Sequence, residues 1–395
     1  MRLQLKKGSP VRVAKSRHKV FSFGRQVATP GVMATAMLLS GVQLAHADTA
    51  PERALIAYKY LDYKDWQPGL DRISVHAPSV MLMTPITGEW AVEGVLTSDS
   101  VSGASPAYHS EPSSFASMHD VRRGRDLHVT RYFSRGSLTF GGSFSNESDY
   151  ASHAYSVSGS ISSEDKNTTL NLGASITRDR IYPSNQIVEN EHKTISEVMF
   201  GITQVLSIRD IAQFNFTHVD GRGYYSDPYK YFDNRPREKR QDTALLRWNH
   251  YFDATDGSTR LGYRYYTDSF GIRAHTLTAE YVQPLPGGWN VTPLARLYSQ
   301  SAARFYLDPV NPPDPTLPDG FVPGQTIFSL DQRLSAFGAR SYGLKLANQF
   351  HRDWLVDIKY ERYEQRSDWR IDGRGSPGLA PLNAQIVQVG ITHFF

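Results

Sequence analysis

The sequence contains no cysteine, which excludes disulfide bridges, thiolate metal sites and cysteine nucleophiles. It also lacks long unbroken apolar runs, and its mean hydropathy is −0.43. A helical membrane protein needs about 20 consecutive apolar residues for each span, so the composition disfavours that class. Aromatic residues are plentiful instead, with 22 Tyr, 19 Phe and 6 Trp in 395 residues. This mixture suits strands that are apolar on one face only.

The first segment, residues 1–47, has no acidic residue but eight basic ones. Its second part, PGVMATAMLLSGVQLAHA, is uncharged and ends in a small-x-small tripeptide. A basic start, an apolar middle and a small-residue end are the three parts of a secretory signal peptide. We therefore expect residues 1–47 to be an export signal and residues 48–395 the exported domain. The alternative is a membrane anchor or amphipathic helix. Pro30, Gly31 and Gly41 make this alternative less favourable, because proline and glycine disfavour a continuous helix. The unusual length of the basic part leaves a later start codon open.

The charge of the exported part differs from that of the whole chain. The chain has 43 Lys and Arg against 39 Asp and Glu, a net charge of +4. Without the eight basic residues of the first 47, the balance becomes about −4. A nucleic-acid-binding domain would need a basic patch in the exported part, so we expect no nucleic-acid partner.

From residue 54 onward, apolar and polar residues alternate, which is the pattern of half-buried strands. SLTFGGSFS places Leu138, Phe140 and Phe144 on one face, and LVDIKYE places Val356 and Ile358 there. No stretch shows a convincing helical stripe with caps. The pattern predicts sixteen strands, at 54–63, 72–83, 90–100, 125–134, 135–146, 150–161, 168–179, 193–207, 210–220, 241–253, 258–268, 273–285, 289–300, 337–350, 354–366 and 385–395.

The connections between these strands alternate in length. One set is short, as in 84–89, 162–167 and 351–353, and the other includes nearly all the long segments. Short periplasmic turns alternating with long extracellular loops are typical of outer-membrane barrels. The polar faces also carry single charges, which stay wet only inside a closed barrel. We therefore predict a transmembrane antiparallel β-barrel of about 16 strands. The alternatives are 14 or 18 strands, or a soluble secreted β-protein.

Four stretches resemble a family of uncharacterised proteobacterial outer-membrane β-barrel proteins, grouped as a domain of unknown function. They are VSGASP (101–106), DVRRGRDLHVTRYF (120–133), RPREKRQDTALLRWNHYF (235–252) and RLGYRYYTDSFGIRAHTLTAEYVQPLPGGWNVTPLARLYSQSAARFY (260–306). The resemblance covers essentially the whole exported chain. It implies a single porin-like barrel in the outer membrane of a Gram-negative bacterium, and it supplies no catalytic or ligand-binding residues.

The resemblance to outer-membrane barrels also interprets the last strand, QIVQVGITHFF. Such barrels usually end in Phe preceded by apolar residues at alternate positions, and the barrel-assembly machinery reads that end. Phe395, Ile391 and Val389 fit this assembly signal. His393 stands where a Tyr or an apolar residue is more usual. The alternative interpretation is that Phe395 only packs the final strand.

Charged residues on the polar faces are candidate pore-lining positions. The alternation predicts that the side chains of six residues point into the lumen: Arg247, Arg264, Arg296, Lys345, Asp357 and Lys359. The Pro-rich segment within 301–336 carries Asp308, Asp314 and Asp319. A connection this long is usually functional or disordered. It is therefore a candidate constriction loop opposite a basic wall, and an exposed loop sheltering the rim is the alternative.

No sequence motif supports an enzyme. Motifs such as G-x-S-x-G or H-E-x-x-H are absent, and the strand histidines His218, His250, His275 and His393 are scattered singly. Asp227 and Asp233 offer oxygen ligands of the kind calcium prefers. Their spacing matches no known calcium loop, so ion pairs in a tyrosine-rich loop are the favoured interpretation. We expect no enzymatic activity, no cofactor and no metal.

These patterns predict an outer-membrane protein that passes small solutes passively. The alternative is a non-enzymatic structural or export component of a secretion or surface-assembly pathway. The expected partners are outer-membrane lipid and lipopolysaccharide, the barrel-assembly machinery and, as an open alternative, further copies of the chain in a homo-oligomer.

Overall fold

The computed structural model describes residues 49–104, 117–230, 233–308 and 320–395. Within them the chain forms sixteen strands: β1 (Leu55–Gln67), β2 (Leu70–Thr87), β3 (Trp90–Ala104), β4 (Ser117–Phe133), β5 (Gly136–Asn146), β6 (Tyr150–Ser162), β7 (Thr168–Ile181), β8 (Glu191–Val205), β9 (Asp210–Gly223), β10 (Glu238–Phe252), β11 (Gly257–Asp268), β12 (Arg273–Leu285), β13 (Trp289–Gln300), β14 (Phe337–Phe350), β15 (Trp354–Arg366) and β16 (Leu382–Phe394). Three short 3-10 turns span Pro286–Gly288, Gln332–Leu334 and Ser367–Trp369. Across this described part, no helix has the length and apolar character needed to cross a bilayer.

The strands form one closed antiparallel barrel. Each strand pairs with its neighbours in sequence, and β16 returns to pair with β1. Beyond β16, Phe395 and Ala54 exchange two backbone hydrogen bonds, at 3.0 and 2.9 Å. Closure leaves no free sheet edge, whose unpaired backbone groups could not be satisfied in lipid. The prediction of an antiparallel barrel with sixteen strands is thereby confirmed.

The two ends of the barrel differ in their connections. The short-turn end carries both chain termini of the barrel and connections such as 134–135 and 351–353, whereas the long-loop end carries 182–190, 224–237, 301–336 and 367–381. The strand boundaries drawn from sequence were too short near this second end. There β1 and β2 meet through Pro68 and Gly69 alone, where the predicted strands 54–63 and 72–83 left a longer connection. Gly69 has φ of 73°, as the third residue of a Pro-Gly type II turn requires.

Side chains alternate between the outer and inner faces of the barrel. On β15, Val356 and Ile358 are exposed on the outer face, and Asp357 between them is buried on the inner face. In a barrel with a polar lumen, the outer face meets lipid and the inner face meets water. An apolar outer face is therefore the expected solution for a membrane-embedded sheet.

Three apolar clusters lie on the inner side of the barrel. One is at the short-turn end and two are at the long-loop end, where Phe337, Ala339 and Leu379 form the smallest. At the short-turn end, Leu55 and Val95 belong to a cluster completed by Ala57, Met81, Met83 and Phe394. At the long-loop end, Tyr225, Phe270, Ile272, Ala303 and Leu334 form the second. The second cluster joins residues of three separate connections, so the long loops pack on one another.

Candidate functional site: the barrel interior

The strand register places the candidate pore-lining residues on the inner face. Arg247 on β10 lies opposite Gly262 on β11, two residues before Arg264. Arg296 on β13 lies opposite Ser341, and Lys345 on β14 lies opposite Lys359 on β15. Asp357 shares the inner face of β15 with Lys359. Their role in conducting solutes stays a prediction, because position alone does not establish transport.

Arg264 and Arg296 face the lumen with aromatic neighbours. The guanidinium carbon of Arg264 lies 5.6 Å from the ring centre of Tyr266, and that of Arg296 lies 5.8 Å from the ring centre of Tyr298. Such cation–π contacts hold a guanidinium group in place without neutralising its charge. Within the described ranges, neither arginine forms an ion pair with a carboxylate. This part of the inner wall therefore carries uncompensated positive charge.

A second group of inward charges lies where β14, β15, β16 and β1 meet. Lys345 Nζ is 3.7 Å from Asp357 Oδ1, and Lys359 Nζ is 3.3 Å from Glu361 Oε2. Lys59, only 1% exposed, lies opposite Gly390, which in turn lies opposite Asp357. Sequence reasoning missed Lys59, although its place between the outward Tyr58 and Tyr60 was a sufficient signal for an inward side chain.

Gly390 makes this cluster sterically feasible. A Cβ at that position would lie 2.5 Å from Asp357 Oδ2 and 3.4 Å from Lys59 Cε. The glycine of the last strand thus leaves room for the carboxylate that separates the three lysines. Like charges gathered in a partly buried wall repel one another, and Asp357, together with Glu361 beside Lys359, compensates them.

At the long-loop end, the β13–β14 loop (described at 301–308 and 320–336) turns into the barrel mouth. Gln300 at the end of β13 donates from Nε2 to the carbonyl oxygens of Arg333 and Ser335, at 3.1 and 2.6 Å. Leu334 is buried in the apolar cluster of the long-loop end. The segment around the 3-10 turn at Gln332–Leu334 is therefore fixed against the inner wall.

A cavity of about 210 Å³ remains between this segment and the wall. The ionisable groups lining it include Lys193, Lys239, Arg264, Tyr266, Tyr298 and Arg333, together with the carboxylate of Glu197. Three of its four cations are paired with carboxylates: Lys193 with Asp179 at 3.1 Å, Lys239 with Asp268 at 3.2 Å and Arg333 with Asp227 at 2.8 Å. Basic and phenolic groups thus converge at the point where the loop narrows the mouth.

Buried ion pairs fasten the β13–β14 loop to the β9–β10 loop (described at 224–230 and 233–237). Arg235 Nη2 is 2.8 Å from Asp331 Oδ2, and its Nε is 2.7 Å from Asp233 Oδ2. Arg333 Nη2 lies 2.8 Å from Asp227 Oδ2 and also pairs with Asp331. We call the five residues Asp227, Asp233, Arg235, Asp331 and Arg333 the latch.

Backbone contacts run alongside the latch. Asn234 and Phe328 exchange two backbone hydrogen bonds of 3.0 Å each. Asp331 accepts hydrogen bonds from the backbone and side chain of Arg333, the former at 3.0 Å. The two loops are thus joined by a short bridge of strand-like pairing as well as by charge.

The two buried carboxylates that flank Arg235 differ in proton affinity. Burial opposes ionisation of Asp331, but Arg333, Lys230 and Arg235 outweigh it and hold its pKa well below the ordinary value. For Asp233 burial dominates over Arg235, so its pKa is raised. The cations around Asp331 therefore favour its ionised form, the form that pairs with both Arg235 and Arg333.

Of the three acidic residues predicted to form a constriction, Asp308 lies in the described part of the chain. Both carboxylate oxygens of Asp308 accept from the backbone N–H of Gly378, at 3.1 Å each. Asp314 and Asp319 lie outside the described residues. A constriction built from these three acids stays a prediction, and the charges fixed at the mouth belong to the latch instead.

Asp227 and Asp233, considered above as calcium ligands, face arginines. Asp227 pairs with Arg333 and Asp233 with Arg235, which is the favoured interpretation from sequence. Across the part of the chain that the structure describes, no group of three or more His, Asp or Glu side chains is arranged to hold a metal ion.

The four strand histidines singled out from sequence lie on the outer face, each beside a polar or aromatic partner. His218 Nδ1 is 2.7 Å from Asp242 Oδ1, and His250 Nδ1 is 2.7 Å from Asp210 Oδ1. His275 Nδ1 is 2.7 Å from the hydroxyl oxygen of Tyr263. Such positions fit residues at the membrane interface. They do not converge on one another or on a common nucleophile.

The residues of the expected assembly signal point outwards from β16. Val389 and Ile391 are half exposed on the apolar outer face, and Phe395 is 59% exposed. His393 shares that face, its ring centre 4.3 Å from that of Trp354 and stacked at 5.8 Å on Phe395. The histidine is therefore part of an aromatic girdle at the short-turn end, where aromatic side chains are typical of barrels.

Several solved structures resemble this barrel over most of the chain. A bacterial polysaccharide outer membrane secretin matches with a TM-score of 0.51 at 8% identity, over 87% of this chain and 98% of its own. OccK2 (OpdF) from Pseudomonas aeruginosa matches with 0.44 at 10% identity, over 87% and 98%. CdiB from Acinetobacter baumannii matches with 0.48 at 8% identity, over 85% and 60%. At 8% identity, the similarity to the secretin concerns the fold alone.

No curated protein matches the sequence. The family described as "Protein of unknown function (DUF3570)" matches residues 108–188 and 182–389. That span is more than half of the chain. It includes the latch and the strands that carry the inner arginines, and it includes Lys345, Asp357 and Lys359 of the lysine cluster. The sequence and the closed barrel together identify the chain as an outer-membrane-type β-barrel that belongs to the DUF3570 family.

Proposed function

We propose that the protein is an outer-membrane channel for the passive passage of small hydrophilic solutes, with a preference for anions. The observation that carries this proposal is the inner wall of β10–β13, where Arg264 and Arg296 face the lumen without a carboxylate partner among the described residues. Charged groups lining a pore select ions of opposite sign through their local field.

Two further features support a channel. A barrel of about 16 strands is wide enough for an aqueous lumen unless loops fill it. The β13–β14 loop narrows the mouth at the long-loop end and still leaves a cavity whose ionisable lining is mainly basic and phenolic, with one carboxylate, that of Glu197. A constriction with these groups suits solutes that carry carboxylate or phosphate and hydroxyl groups.

Export is the route that fits this location. Residues 1–47, read as a cleaved signal peptide, take the chain across the inner membrane, and residues 48–395 form the barrel in the outer membrane. In this proposal the lumen does no chemistry, and the role is that of a non-enzymatic pore.

Conductance in planar bilayers tests the proposal. The purified barrel is inserted into a bilayer of uncharged lipid, and current is recorded over a range of voltages. Stable openings with chloride more permeant than potassium support the proposal. Silence at all voltages overturns it and favours the structural or export role instead. Stable openings that prefer potassium leave a channel but refute the anion preference.

A further inference from the structure

The outer face of β4–β9 changes character abruptly towards the long-loop end. On β7 the outward positions run Leu170, Leu172, Ala174 and Ile176, all apolar, and then Arg178 and Arg180. Both arginines are exposed. An apolar stripe followed by cations marks the level at which the hydrocarbon region ends.

The register extends these two arginines into rows across neighbouring strands. One row runs from Arg178 through its opposite residue His153 on β6 and Phe144 on β5 to Arg125 on β4. In the other direction it passes Thr194 on β8 to Arg222 on β9. Since adjacent strands are about 4.8 Å apart, His153 and Arg178 are direct neighbours.

A second row lies closer to the rim. Arg180 on β7 is opposite His192 on β8 and, on its other side, Ala151 on β6. Two strands beyond Ala151, Arg123 on β4 completes the row through Asn146. We give the basic residues of both rows the name outer basic belt. They are Arg123, Arg125, His153, Arg178, Arg180, His192 and Arg222.

Within the described part of the chain, four of the five arginines of this belt lack a carboxylate partner of the kind found elsewhere on the barrel. Within the described ranges, Arg123, Arg125, Arg178 and Arg180 form no ion pair, and Arg222 approaches only Asp220, at 3.8 Å. On the far side of the barrel, the outward Arg340 has Glu364 at 2.8 Å. The difference cannot come from the strand geometry, which is the same on both sides.

A depression of about 560 Å³ lies against the centre of the belt. Its lining includes the outward residues His153, Arg178, Arg180, His192 and Thr194, together with Asp179 and Lys193, which pair with each other. The hydroxyl group of Thr194 adds a donor within the first row, between Arg178 and Arg222. The belt is thus a concave patch of charged donors at the edge of the apolar surface.

We propose that the outer basic belt binds the phosphate groups of lipopolysaccharide in the outer leaflet. Guanidinium groups bind phosphate oxygens with two parallel charge-assisted hydrogen bonds. Unpaired cations next to hydrocarbon are costly unless an anion at the interface compensates them. The long-loop end of an outer-membrane barrel faces the exterior, so the anionic lipid beside the belt is lipopolysaccharide. This proposal rests on the outer-membrane location but not on conduction.

The test compares the full-length barrel with an Arg178→Gln/Arg180→Gln variant. Each protein, in nanodiscs of uncharged lipid, is titrated with purified lipopolysaccharide, and bound lipid is counted by native mass spectrometry. The double variant should bind at least tenfold more weakly. An Arg340→Gln variant is the matched control, because it removes an outward arginine at the same rim that already has a carboxylate partner, and it should bind as the unchanged protein does.

Three results separate the proposal from its rivals. Equal binding by the double variant overturns it. Competition by inorganic phosphate at low concentration would mean a soluble-phosphate site and also overturns it. So would unchanged lipid binding with a shift in oligomeric state, since the belt would then be a contact between copies of the chain. Removing the phosphates from the lipid should weaken binding by the unchanged protein as much as the double variant does.

The folding and the conductance of each variant are measured as controls. Heat-modifiable gel mobility shows that each variant is a closed barrel. Conductance should be the same in all three proteins, because Arg178 and Arg180 point away from the lumen. A silent channel with intact lipid binding refutes the proposed function alone, so the two failures can be told apart.

Discussion

The guanidinium group of Arg235 forms an ion pair with Asp331, which lies 96 residues away in the chain. Arg235 Nη2 and Asp331 Oδ2 are 2.8 Å apart. Both side chains are buried. A buried ion pair contributes little net stability, but breaking it by removing one partner leaves an uncompensated charge. The latch therefore commits the two long loops to one arrangement over the mouth.

Replacing Asp331 should release the β13–β14 loop. Asp331→Asn keeps the size of the side chain but leaves Arg235 and Arg333 short of one negative charge, at a cost of about 3–5 kcal/mol. We expect faster amide hydrogen exchange in residues 301–308 and 320–336, together with larger current fluctuations in bilayers.

The matched control for this variant is Arg237→Gln. Arg237 pairs with Glu191 at 2.6 Å on an exposed surface, and exposed pairs contribute about 0–1 kcal/mol. Exchange in the β13–β14 loop should not change in this control. Slow exchange in both variants would mean that the apolar cluster alone holds the loop.

The latch should resist mild acid. The folded-state pKa of Asp331 is lowered relative to an unfolded value of about 3.9. Its stabilisation is therefore fully present above that value and is lost only as pH falls through the lower folded value. For Asp233 the effect of pH on stability has the opposite sign, because its pKa is raised and protonation therefore favours the folded loop. Spin-label distances between the β9–β10 and β13–β14 loops should be the same at pH 7 and pH 5. Separation of the loops within that interval would contradict this assignment.

The anion preference of the channel should depend on the inner arginines Arg264 and Arg296. Removing both guanidinium groups in Arg264→Gln/Arg296→Gln takes two uncompensated positive charges from the inner wall, so the chloride-to-potassium permeability ratio should fall by roughly twofold or more. Reversal potentials in a salt gradient measure this ratio. Arg131→Gln, on the outer face at the short-turn end, should leave the ratio unchanged. An unaltered ratio in the double variant would place the selective charges elsewhere.

Gly390 should tolerate no side chain without a loss of stability. In Gly390→Ala the new Cβ would displace Asp357 from the lysine cluster, and overpacking of this kind costs about 1–3 kcal/mol. Urea titrations followed by gel mobility measure the free energy of unfolding. Gly94→Ala is the control, because its Cβ would meet nothing closer than 4.0 Å. If both variants unfold at the same urea concentration, the carboxylate has room to move aside.

Phe395→Ala should reduce the amount of assembled barrel in the outer membrane by several-fold while leaving the conductance of each assembled molecule unchanged. The reason is that the ring is exposed on the outer face, so its loss removes little packing. Quantitative blotting of the folded band after heat-shift electrophoresis measures assembly. Phe350→Ala, another exposed aromatic at the short-turn end, should assemble normally. Equal yields of both variants would make Phe395 an ordinary packing residue.

Much of the barrel could be predicted from sequence because its main signals are local. Alternation in stretches such as LVDIKYE identified the strands and which side chains share a face, without knowledge of any partner strand. Boundaries near the long-loop end were less accurate. There β1 and β2 continue to pair beyond the clear apolar alternation, and only a Pro-Gly turn stops them.

The candidate site was less accessible to the same reasoning. Lys59 was overlooked because the aromatic residues around it dominated the interpretation. The latch was missed because the acids of one loop and the arginines of the other give no signal of their proximity. Only the unusual number of charges in 221–240 indicated that ion pairs form there.

The sequence by itself determined the strands, the faces of the wall and the antiparallel closure, because each follows from a period of two and from the need to satisfy every backbone group in lipid. The tertiary structure alone decided which residues meet across strands and loops. It placed His393 beside Trp354, aligned the outer basic belt across six strands and joined Arg235 to Asp331. Those contacts depend on register and on the space inside a closed barrel, which are properties of the whole sheet and of no single segment.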